Sequence, residues 1–114
     1  MFFGYLRDIV AVLASPAEAQ RLWLKNLGTY PSADELALEF DDYAVHAPQF
    51  VTAGFIDEQA REAIYEVSSA LHAIPAEPEE WDAERALGSV PWERVRQAAG
   101  RAVVELVRQR IPVG

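Results

Sequence analysis

The sequence predicts an all-α protein, a single bundle of five to six helices spanning residues 1–114. Apolar side chains recur at three- and four-residue steps through most of the chain. Ser, Asp, Pro and Gly punctuate these runs as helix starts and stops. Strict two-residue alternation occurs only at Leu36, Leu38 and Phe40, with no hairpin turn beside it, so helix is favoured over strand there.

The first helix is predicted over Phe3–Ala14, with Phe2, Leu6, Ile9, Val10 and Leu13 as its stripe. This apolar start resembles a signal peptide superficially. It lacks a basic leading region and carries Arg7 and Asp8 inside the run, which favours a core helix. Ser15-Pro16-Ala17-Glu18 then reads as a capping box with proline in the first turn. The second helix should carry Ala19, Leu22, Trp23 and Leu27 inward and stop at Gly28.

Ser32 to Tyr43 reads as an acidic amphipathic helix opened by a Ser32/Glu35 capping box. At about 100° per residue, Ala33, Leu36, Ala37, Phe40, Tyr43 and Ala44 share one side, and Glu35, Glu39, Asp42 and His46 the other. Pro48 either kinks this helix or begins a short one through Phe50 and Val51 toward Gly54. Asp57 caps a fourth helix to about Ala73, with Ala60, Ile64, Val67 and Leu71 inward and an Asp57/Arg61 surface pair. A polar loop from Pro75 to Glu80 leads to a short helix over Trp81–Leu87, closed by Gly88. Ser89 or Val90 starts the last helix, with Pro91 in its first turn and Trp92, Val95, Ala99, Ala102, Val103 and Leu106 at core spacing, ending before Pro112. Helices one, three, four and the last should form the main core.

One core of this size buries roughly two thirds of the unfolded surface. The absence of cysteine excludes disulfides, thiolate metal sites and a cysteine nucleophile. No apolar run reaches the ~18 residues of a membrane span, and a soluble, cytoplasmic protein is expected. The formal charge of −8 is uneven: residues 1–90 hold 16 acids against 5 bases, and residues 91–114 hold 2 acids against 5 bases. Such a field disfavours nucleic acid and membrane surfaces as partners and accelerates encounter with a basic protein. Solubility alone is the plainer explanation.

No residue is assigned a catalytic, cofactor-binding or metal-binding role. Glu35, Glu39, Asp42 and His46 form a stripe on one helix, whereas tight metal sites draw convergent ligands from several elements. His46 and His72 have no Ser or Asp placed to suggest a triad, and Ser68 and Ser69 lack a nucleophile elbow. Glu62 and Glu66 lie one turn apart with no cleft signalled to separate their pKa values. Trp23, Trp81 and Trp92 stand among acids and core positions, not in a basic stacking groove. The last helix's Arg94, Arg96, Arg101, Arg108 and Arg110 could form a small phosphate patch, but pairing with the acidic helices is the favoured reading. The candidate partner-binding set is Asp34, Glu35, Leu38, Glu39, Asp41, Asp42 and Val45: Leu38 and Val45 share a flank with Asp34 and Asp41, giving an aliphatic pair fringed by carboxylates. Contact of that pair with a neighbouring helix is the competing reading.

Three segments in order, S-P-A-E-A-Q-R-L-W, E-L-A-L-E-F-D-D and P-W-E-R-V-R-Q-A-A, resemble small helical bacterial proteins, some of them described as immunity proteins of contact-dependent or polymorphic toxin systems. The resemblance implies a cytoplasmic protein, not an enzyme, that binds and blocks one cognate toxin, often a nuclease with a basic surface. Glu35, Glu39, Asp41 and Asp42 fall in the matching acidic segment, as binding surface or as structure; Asp41 is equally suited to pair with an arginine of the last helix. The alternative is a structural or regulatory adaptor that homodimerises or binds an endogenous protein. Monomer and homodimer both remain open.

Overall fold

The computed structural model describes residues 2–26, 33–54, 56–75 and 81–108. In chain order the helices are α1 (Phe2–Ala14), α2 (Ala17–Asn26), α3 (Asp34–Ala44), α4 (Ala47–Thr52), α5 (Glu58–His72), α6 (Ala83–Ala86) and α7 (Val90–Arg108). Five have ten residues or more, α4 and α6 are short, and no strand occurs among the described residues. The all-α bundle is as the sequence predicts.

α7 is the centre of the bundle, packing most extensively on α5 and on α1, which also packs on α3. Its inward face alternates bulk and lack of bulk: Trp92, Val95 and Leu106 are buried beside Ala98, Ala99 and Ala102. The alanines let neighbouring helices approach closely, and the larger residues fill the layers between them. Leu6, Ile9, Val10 and Leu13 meet this face from α1, and Ala60, Ala63, Ile64, Val67 and Leu71 from α5. α3 adds Leu36, Ala37 and Phe40. These four helices are the ones the apolar stripes select.

Local chemistry sets several boundaries. Asp57 is extended (φ −98°, ψ 179°), and its Oδ1 accepts from the Ala60 N–H at 2.9 Å, the expected cap of α5. Arg61 pairs with Glu58 at 2.9 Å, one position beyond the anticipated Asp57. Ser89 caps α7 by accepting from the Trp92 N–H at 3.3 Å while donating to the Ala86 carbonyl at 2.7 Å. Pro48 begins α4 in its first turn, and Gly54 ends that segment at φ +81°, a left-handed conformation that glycine adopts without a Cβ clash.

α2 departs from the sequence reading. Ala19 and Leu22 face solvent, Trp23 is half-buried, and the buried residues are Gln20 and Leu24; Leu27 and Gly28 lie outside the described residues. The reason is polar. Gln20 Nε2 donates to the Val12 carbonyl at 3.1 Å and the Leu13 carbonyl at 3.0 Å, groups without intrahelical partners at the end of α1. Its Oε1 accepts from the Trp92 indole N–H at 3.0 Å. One side chain thus satisfies α1, α2 and α7 in a buried layer, and this turns α2 so that Leu22 points outward. Ser15 likewise does not open α2: its hydroxyl donates back to the Ala11 carbonyl at 2.7 Å, closing α1.

Ser32 lies outside the described residues, so the start of α3 is seen from Ala33. The Ala33 N–H donates to the Trp81 carbonyl at 2.7 Å. Trp81 is fixed in turn by its indole N–H on the Pro75 carbonyl at 2.9 Å and by an edge-on contact with Trp92, ring centroids 6.2 Å apart. The acidic helix is therefore anchored at its N-terminal end to the segment that precedes α7.

Candidate interaction surface

Because Leu36, Ala37 and Phe40 point into the core, the opposite side of α3 is set by geometry, and it differs from the first helical projection. Leu38 (49% exposed), Val45 (70% exposed) and Asp42 face straight out. Asp34 and Asp41 lie exposed on one flank, and Glu35 and Glu39 are half-buried on the other. The candidate residues thus form an aliphatic ridge with acids on both sides. Among the described residues, Leu38 and Val45 keep about half or more of their surface exposed.

The two flanks meet different surroundings. Asp41 lies near His72, the last residue of α5, and not in an ion pair with an arginine of α7. Desolvation raises the Asp41 pKa above the ordinary aspartate value; His72 opposes the rise, and Asp42 and Asp34 add to it. Asp41 and Asp42 also occupy the last turn of α3, which contains no basic residue. The helix dipole disfavours carboxylates there, so this end of α3 carries negative charge that no basic residue of α3 itself offsets.

On the other flank Glu39 borders a cleft of about 120 Å³ between α1, α2 and α3, lined by Tyr5, Asp8, Ile9, Val12, Trp23, Glu39 and Tyr43. The Tyr5 and Tyr43 rings sit 5.4 Å apart at 31°. The Tyr43 hydroxyl is held above the ordinary tyrosine pKa, first by desolvation and then by Glu39, Tyr5 and Asp42. Tyr5 and Asp8 carry no site role in the sequence, where Trp23 reads only as an inward residue of the second helix. Tyr5, Asp8 and Val12, at i, i+3 and i+7, mark a second face of α1 outside its main stripe, a signal that was present; that α2 and α3 converge on this face was not legible.

The other candidates disperse. His46 occupies the N-cap position of α4 without capping it through its side chain, its ring Nδ1 lying 3.3 Å from the Gln49 amide oxygen, and His72 is exposed at the end of α5. Among the described residues no three His, Asp or Glu side chains gather in a metal-holding arrangement. Arg101 reaches from α7 to Glu66 of α5 at 3.3 Å, whereas Arg96 and Arg108 pair within α7, with Glu93 and Glu105. The expected bracing of the acidic helices by the last helix is confined, among these, to one exposed pair. Arg110 lies outside the described residues.

Fold and surface together define an all-α bundle that displays an acidic, partly aliphatic helix. Among the described residues no helix is long and apolar enough to cross a membrane. No protein-family model matches the chain, and neither a curated protein nor a solved structure shows significant similarity to it.

Proposed function

We propose that this chain is an immunity-type protein, cytoplasmic and without catalytic activity, that binds and neutralises a cognate toxin with a basic, nuclease-like surface. The observation that carries the reading is the outward ridge of Leu38 and Val45 flanked by Asp34, Asp41 and Asp42. Exposed aliphatic side chains supply apolar area to a docked partner, and the surrounding carboxylates supply charge complementarity and rapid encounter with a cationic surface. Asp41 and Asp42 at the C-terminal end of α3 support it further, since a basic partner would neutralise charge that the helix dipole disfavours.

The test is capture of the tagged chain from its native cells at low salt, followed by toxin neutralisation with Glu39→Lys/Asp42→Lys. A stoichiometric basic partner whose association slows at least about tenfold in the double variant, and weakens with salt, supports the proposal. Undiminished neutralisation by the double variant overturns it. A second reading, a homodimerising adaptor, draws on Val104 and Val107, which are 57% and 69% exposed on the outer side of α7. Salt-insensitive self-association in sedimentation experiments would favour that reading.

A further inference from the structure

The cleft between α1, α2 and α3 combines three features that point to one ligand chemistry. Its walls include the aromatic side chains Tyr5, Trp23 and Tyr43. Aromatic faces attract cations within about 6 Å of the ring centroid, arginine most often. Its lining also carries Asp8 and Glu39, and neither forms an ion pair among the described residues. Its volume of about 120 Å³ is well below the ~300 Å³ at which drug-sized ligand pockets begin, and it suits the end of one side chain. Ile9 and Val12 complete the lining and provide apolar contact for a methylene stem.

We infer that this cleft is the receptor for a single arginine side chain of a basic protein partner, with the guanidinium against Tyr5, Trp23 and Tyr43 and its charge balanced by Asp8 and Glu39. Arginine fits better than lysine because its planar cation stacks on aromatic faces and is less strongly hydrated than an ammonium. The inference rests on the binding reading above for the source of the arginine, but the cleft's chemistry is testable without the partner. Glu39 joins the two surfaces: it faces the cleft and adjoins the outward ridge of α3, so an arginine seated here lies at the edge of the same docking face.

The experiment is a titration of the full chain with N-acetyl-arginine amide, followed by NMR of the Trp23 indole and the Tyr5 and Tyr43 rings, with N-acetyl-lysine amide and N-acetyl-leucine amide as comparisons. Saturable shifts confined to these rings and to Asp8 and Glu39 are expected, with arginine binding more tightly than lysine and leucine showing no saturation. Trp23→Leu should weaken binding about three- to tenfold, in keeping with one cation–π contact. Glu39→Gln, at a half-exposed site, should weaken it without altering the spectrum of the core.

The absence of saturable shifts at the arginine concentrations reached, or equal binding of leucine and arginine, overturns the inference. So does undiminished arginine binding in both variants. These results differ from failure of the functional proposal. A chain that binds arginine in the cleft but captures no basic toxin retains the cleft and loses the immunity reading. A chain that neutralises a toxin through α3 but ignores arginine does the reverse.

Discussion

Gln20→Met isolates the polar layer at the centre of the bundle. Methionine nearly conserves the volume, so the cavity contribution is small. Three hydrogen bonds of 3.0–3.1 Å are lost, to the Val12 and Leu13 carbonyls and from the Trp92 indole. The Val12 carbonyl keeps the Ser15 N–H at 3.0 Å, but the Trp92 indole N–H, on a side chain with no exposed surface, loses its partner. A buried donor left unsatisfied costs about 1–3 kcal/mol, and the lost carbonyl contacts add about 1 kcal/mol, for a destabilisation of about 2–4 kcal/mol. With a urea m-value of about 2 kcal/mol/M, the unfolding midpoint should fall by about 1–2 M.

Urea unfolding followed in parallel by circular dichroism and tryptophan fluorescence measures this. Trp92→Phe, made alone and with Gln20→Met, completes a double-mutant cycle with an expected coupling of about 1–2 kcal/mol. A single-variant cost below about 0.5 kcal/mol, within the range of ordinary surface substitutions, would refute the claim that Gln20 holds the layer together. So would a cycle without coupling.

Three further outcomes follow from the same structure. Asp57→Ala removes the cap on α5 and should cost about 1 kcal/mol in urea unfolding. Asp41→Asn should raise the unfolding midpoint near neutral pH: the native state binds the Asp41 proton more tightly than the unfolded chain does, so this residue's stability contribution falls as pH rises from the ordinary aspartate value through the raised one. The benefit should disappear below the ordinary aspartate pKa, and a benefit that persists there would exclude the titration as its cause. Leu38→Ser/Val45→Ser should leave stability within about 0.5 kcal/mol, because both side chains already face solvent. The same variant should weaken partner capture at least about tenfold, measured by equilibrium binding to the captured protein.

The parts of the fold legible in the sequence are those decided within one helix. The stripe of Leu6, Ile9, Val10 and Leu13 predicts the buried face of α1, and Leu36, Ala37 and Phe40 predict that of α3, because spacing along a helix fixes which residues share a side. Asp57 is equally readable, and Ser89 as one of two candidates beside Val90, since a cap acts on an N–H three residues away. α2 is not. Leu22 and Trp23 offered an apolar stripe, but Gln20 is drawn inward by carbonyls of the preceding helix and by an indole 72 residues further along. Ser15 misled for a related reason: its hydroxyl had two helix ends within reach, and it bonds the earlier one.

The candidate surface divides along the same line. That Leu38 and Val45 lie outside the apolar arc follows from their positions on one helix. Glu39 could not be placed at an aromatic cleft without knowing that Tyr5 of α1 and Trp23 of α2 converge beside it.

The hydrogen bond between Gln20 and Trp92 has a consequence for the order of assembly. During synthesis, the first two helices leave the ribosome long before the indole that completes their polar layer. Until α7 arrives, the apolar faces of α1 and α5 lack the helix that lies between them, and the Gln20 carbonyl lacks its indole donor. α1 packs on α2 and α3 without α7, but the central apolar wedge between α1 and α5 and the donor for Gln20 are complete only once the last helix is in place.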